Sequence, residues 1–101
     1  MKEQIEQFLQ YITEEKGYSA NTLAAYRNDL TQFLAFLRGR VDGWDEVNRE
    51  IIIDYIMAMK ADQEYASSTV ARKVAAIKSF FHYLVDKGQL GDDPTATLDS
   101  P

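Results

Sequence analysis

From Val70 to Leu84 the apolar residues Val70, Val74, Ile77, Phe81 and Leu84 recur at steps of four, three, four and three. This spacing sets all five side chains on one narrow stripe of an α-helix, whereas a strand would scatter them over both faces. The rest of the chain repeats the pattern. Ile5, Phe8, Leu9 and Ile12 form a second stripe, and Leu23, Leu30, Leu34 and Leu37 a third with Tyr26 and Phe33 beside it. A fourth runs through Ile51, Ile52, Tyr55, Ile56 and Met59. Nowhere do apolar and polar residues alternate as in a half-buried strand. The fold class is therefore all-α, a four-helix bundle whose stripes share one core. The 101 residues suit one domain, and 46% apolar with 27% charged residues is the composition of a chain that folds.

Start and stop signals divide the pattern. Helix 1 is expected from about Lys2 to Glu15, with Gly17 as a left-handed stop. Ser19 is the expected N-cap of helix 2, which runs to about Arg38 before Gly39. The segment 39–47 holds two glycines with Asp42, Asp45 and Glu46 and reads as a loop, anchored to the core by Trp44. Helix 3 is expected after Asn48 and ends near Ala61. Ser67 is the expected cap of helix 4 and Gly88 its end. Pro94 then breaks the chain, leaving room for a short turn or helix over Thr95 to Leu98. Asp99-Ser100-Pro101 reads as the first residues of a linker, so the domain is expected to span 1–98.

Several kinds of chemistry drop out. The chain has no cysteine, and its one histidine, His82, has no second ligand at metal-binding spacing, so no metal or cofactor is expected. The acid pairs Glu14/Glu15 and Asp92/Asp93 are sequence neighbours that point apart, which is unsuited to acid–base work in a pocket. No phosphate loop or nucleophile elbow is present. No catalytic residue is expected. The N-terminus opens directly into an amphipathic pattern, without a signal core or membrane span, and the reading is a cytoplasmic protein.

Charge is less easily dismissed. A formal charge of −5 argues against phosphate binding, but the charges are segregated. Residues 41–64 set seven carboxylates against Arg49 and Lys60, whereas between Glu64 and Asp86 no carboxylate occurs and Arg72, Lys73 and Lys78 do. Projected at 100° per residue, the outer face of helix 4 carries Ser68, Thr69, Arg72, Ala75, Ala76 and Ser79. Helix 2 opens in the same manner with Ser19, Asn21, Thr22, Tyr26 and Arg27 and no acid before Asp29. A solvated bundle face is one reading, although such faces usually mix signs in i,i+4 pairs. The other is a surface for a phosphate backbone, held by two helix N-termini, short polar side chains and arginines. Tyr26 fits either a core edge or a contact. Lys73 and Lys78 flank the apolar stripe and are read as stems lying over the core with their heads in water, within reach of a phosphate. A protein-interaction module, presenting an apolar groove to a partner helix, is the alternative from a different class.

Three segments carry a family resemblance. "YSANTLAAYRNDLTQFLAFL", then "SSTVARKVAAIKSFFHYLVDKG" about fifty residues later, then "DDPTATLDSP", resemble in order and spacing the N-terminal core-binding domain of tyrosine recombinases, nearest the Xer-type and phage-integrase branch. The resemblance implies a SAM-like four-helix bundle that holds duplex DNA from one side, with helices 2 and 4 in the major groove. It assigns DNA contacts to Asn21, Thr22, Tyr26, Arg27, Ser68, Thr69, Arg72, Lys73 and Lys78. It places the catalytic residues in a C-terminal domain of the same parent chain, outside this sequence, and makes other recombinase protomers further partners. The acidic helix 1 and the acidic 41–64 segment are more negative than this role alone would call for.

Overall fold

The computed structural model describes residues 1–98. Four helices follow in order, α1 (Lys2–Lys16), α2 (Ala20–Leu37), α3 (Arg49–Ala61) and α4 (Ser67–Asp86), with a 3-10 turn at Trp44–Glu46 between α2 and α3. Among the described residues there is no strand. The bundle is all-α, as the periodicity requires.

Local chemistry sets the helix ends. The Ser19 hydroxyl accepts from the Thr22 amide at 3.2 Å, and the Asn48 side chain accepts from the Ile51 amide at 2.9 Å, each satisfying a first-turn donor. Gly17 and Gly88 follow α1 and α4 with φ of 64° and 74°, in the left-handed region where a side chain is disfavoured. The start of α4 departs from expectation. Ala66 holds the extended cap conformation and Ser67 is already the first helical residue, so no side chain caps this helix. The Ala66 carbonyl receives the Thr69 and Val70 amides at 3.0 and 3.1 Å, which fixes the boundary one residue earlier than the serine suggests.

Helix α4 is the centre of the bundle and packs against each of the other three, most extensively against α2. Its stripe is fully buried, with Ile77 at 1% exposure and Phe80 and Phe81 at 0%. Phe8 and Phe33 meet these rings edge-on, at centroid distances of 5.5 and 6.2 Å. Trp44 performs the anchoring expected of it: its ring lies 4.7 Å from Phe80 and its indole N–H donates to the Met1 carbonyl at 3.0 Å. Ile51, Ile56 and Leu23, read as stripe residues, sit at the rim and are half-buried. Burial pushes the Tyr55 phenol up to about 12.

After Gly88 the chain folds back over α4. Asp93 accepts from the amide and hydroxyl of the buried Thr95 at 2.8 and 2.6 Å, and the segment closes as a turn in which the Leu98 amide donates to the Thr95 carbonyl. Residues 99–101, read as the start of a linker, lie outside the described residues. Among the described residues no helix is long and apolar enough to cross a membrane, and no cluster of His, Asp or Glu is placed to hold a metal.

Candidate nucleic-acid interface

The first halves of α2 and α4 run side by side and leave a groove of about 330 Å³ between them. Asn21, Thr22, Ala25 and Tyr26 form one wall, Arg72, Ala75 and Ala76 the other, and Asp29 lies beneath. Four of the nine residues singled out in the sequence, Asn21, Thr22, Tyr26 and Arg72, are thus brought together. Neither helix has an acidic residue in its first turn. The alanines keep the walls low, and methyl groups and short polar side chains are what a close-fitting ligand surface would meet there.

The individual side chains are held in different ways. The Thr22 hydroxyl is 3.0 Å from the Ser19 hydroxyl and so is tied to the cap, while Asn21 is exposed. Tyr26 packs edge-on against Phe8 at 5.9 Å and stacks with Tyr18 at 5.9 Å, so its half-buried ring belongs to the core edge. Burial pushes its phenol above the ordinary value, neighbouring Tyr18 adds to the rise, and a hydrogen bond with Ser79 opposes it.

Asp29 is the residue that sequence reasoning missed. Its carboxylate is 1% exposed and takes three cationic donors: Arg72 through Nε at 3.1 Å and Nη2 at 2.8 Å, and Lys73 through Nζ at 2.9 Å. Lys73 also donates to Gln32 and lies 5.6 Å from the Tyr65 ring centroid. A buried ion is tolerable only when paired and hydrogen-bonded, and here each buried ion has that company. The same bonds hold the Arg72 guanidinium firmly protonated, its affinity for the proton raised by the hydrogen bond to Asp29. A signal was present in the sequence. Asp29 lies between Tyr26 and Phe33 on one apolar stripe and Lys73 between Val70 and Ile77 on another, two opposite charges at core positions of two helices.

The remaining candidates lie elsewhere. Lys73 is buried at head as well as stem, with 3% side-chain exposure, which corrects the reading that its ammonium stands in water. The reason is the carboxylate waiting inside. Arg27 lies one step around α2 from Tyr26, in a cleft with Gln7, Gln10 and Leu23, where it pairs with Glu6 of α1. Ser68 is exposed and Thr69 half-buried in the first turn of α4; Ser68 sits one turn before Arg72 on the same side. Ala76, projected outward, is 2% exposed because α2 covers it. Lys78 is half-buried and donates to the Leu98 carbonyl at 2.9 Å.

Comparison of the sequence with known proteins points to one group. The chain belongs to the family described as phage integrase, N-terminal SAM-like domain, whose model matches residues 5–88. Among its relatives is a protein named tyrosine recombinase XerC from Roseiflexus castenholzii, 47% identical over 102 residues that cover all of this chain and 32% of the relative. A XerC of Herpetosiphon aurantiacus is also 47% identical, over all of this chain and 33% of its own length. A tyrosine recombinase XerD from Pseudomonas aeruginosa is 37% identical over 97 residues, covering 96% of this chain and 32% of the relative. The chain thus spans about a third of the length of the curated relatives it matches.

Proposed function

We propose that this chain is the DNA-holding module of a site-specific tyrosine recombinase, lying on duplex DNA through the starts of α2 and α4. The observation that carries the reading is the single groove in which Asn21, Thr22, Tyr26 and Arg72 converge between two helix N-termini free of acidic residues. Backbone N–H groups and the helix dipoles favour phosphate oxygens at such ends, and Arg72 adds a full charge. Asn21 and Arg72 have the donor patterns that read adenine and guanine edges, and Ala25 and Ala75 offer methyl groups to thymine. Ser68 and Thr69 extend the surface along α4. Arg27, paired with Glu6, and Lys78, engaged with the Leu98 carbonyl, serve the outskirts of this surface.

Catalysis in this reading belongs to the two-thirds of the parent protein that relatives have and this chain does not, and that part is the first partner of the module. Other protomers of a synaptic assembly are further partners. The rival reading, a protein-interaction module, calls for a contiguous exposed apolar patch. Among the described residues the large hydrophobics that are exposed are Tyr18 and Met57, which precede α2 and lie on α3 respectively, and they form no such patch.

Fluorescence anisotropy of a labelled mixed-sequence duplex, titrated with the 101-residue chain across salt concentrations, tests the proposal. Weak binding that falls linearly in log–log form with salt is expected. Absence of binding at 50 mM salt, by a folded chain, would remove the proposal.

A further inference from the structure

Arg72 touches Asp29 with one particular edge. The two bonds use Nε and Nη2, the side of the guanidinium, and leave the end formed by Nη1 and Nη2 with three N–H groups for another ligand. The side chain is 51% exposed and lines the α2–α4 groove, while the carboxylate that grips it is 1% exposed. A carboxylate so close would ordinarily cancel the arginine's charge. Lys73, itself 3% exposed, neutralises Asp29 from the inner side, so the three groups together carry one positive charge and the accessible one of them is Arg72.

We propose that Asp29 and Lys73 form a positioning device for Arg72, orienting its Nη1/Nη2 end into the groove with its charge undiminished, toward a pair of acceptors set side by side. This rests on the DNA-holding reading and deepens it by naming the contact. In duplex DNA such a pair is either the O6/N7 edge of guanine or two oxygens of one phosphate. Asp29 and Lys73 act through Arg72 and touch no ligand. Fixing a long side chain before binding removes an entropy cost that the complex otherwise bears.

The test is the double variant Asp29→Asn/Lys73→Met, which removes both buried charges at once. The formal charge stays at −5, so any change in binding cannot come from the long-range field. Removing Asp29 alone would strand a buried ammonium and risk the fold; the paired change avoids this. Duplex binding is expected to weaken about three- to tenfold, the scale set by the entropy of immobilising one long side chain. In an Arg72→Ala background the same pair of substitutions should change binding by less than about twofold, because the residue they act through is gone. A merely structural role predicts equal losses in both backgrounds and would overturn the proposal.

A second readout does not involve DNA. The Arg72 Nε–H should give a sharp, slowly exchanging NMR signal in the natural chain and lose it in the double variant. Rapid exchange in the natural chain would show that the guanidinium is not held, and would overturn the proposal even if DNA binds. Conversely, a protected Nε–H in a chain that binds no duplex would sink the DNA-holding reading and, with it, the assigned ligand. Duplexes carrying 7-deazaguanine separate the two acceptor sources: weaker binding that depends on Arg72 identifies the guanine edge, whereas unchanged binding with a salt slope that depends on Arg72 identifies phosphate. Dependence on neither would refute paired-acceptor recognition.

Discussion

Replacing Arg72 by alanine should change how DNA binding responds to salt, by an amount that follows from the charges around Asp29. With Arg72 present, one buried carboxylate faces two cations; without it, Asp29 and Lys73 remain as a neutral pair. The groove therefore loses one whole positive charge, from a side chain that is half-exposed and free to meet the ligand. If that charge neutralises one phosphate, the slope of log K against log salt falls by about 0.9. Between 50 and 200 mM salt, the variant should then lose affinity by a factor of about 3.5 less than the natural chain does. Arg27→Ala is the internal control. Its guanidinium is paired with Glu6 in a different cleft at the outskirts of the surface, so its removal should lower the slope by much less than removal of Arg72 does. Anisotropy titrations at four or more salt concentrations measure both. An unchanged slope for Arg72→Ala, combined with a reduced slope for Arg27→Ala, would refute the placement of the interface in the α2–α4 groove.

Three other outcomes test the fold. Ile77→Ala should cost about 2–5 kcal/mol in denaturant unfolding, because the side chain is 1% exposed at the centre of α4; a neutral result would mean that the stripe does not face the core. Ser19→Ala should cost about 1 kcal/mol, whereas Ser67→Ala, which loses no cap bond, should stay within about 0.5 kcal/mol of the natural chain. Tyr55 makes alkaline stability informative. Its phenol is raised from 10 to about 12 in the folded chain, so between these pH values the unfolded state gives up a proton that the folded state keeps. The resulting stability is complete below pH 10 and is lost as pH rises toward 12, and Tyr55→Phe should flatten that part of the unfolding profile.

The helices were legible because each carries a stripe of three- and four-residue steps that no strand could use, and because Ser19, Asn48, Gly17 and Gly88 mark ends by local chemistry. Ser67 misled because a serine at the right distance from an apolar run resembles a cap, while the actual boundary depended on the backbone conformation of Ala66. The groove was half legible. Periodicity put Asn21 and Thr22 on α2 and Arg72 on the outer side of α4, but could not say which flanks of the two helices would meet. That meeting depends on the packing of α2 on α4, which covers Ala76 and buries Lys73. Asp29 was hidden for a related reason. A carboxylate after a cationic stretch reads as the return of ordinary surface until its position between Tyr26 and Phe33 is compared with that of Lys73 on the facing helix.

In the reading proposed above, the starts of α2 and α4 together form the surface that meets DNA. A backbone amide NMR titration of the 101-residue chain with a mixed-sequence duplex, at low and moderate salt, addresses it residue by residue even when binding is weak. Shifts concentrated around Asn21 to Tyr26 and Ser68 to Ala76, diminishing as salt rises, are expected. Shifts centred instead on α3 near Met57, or none at either salt, would contradict it.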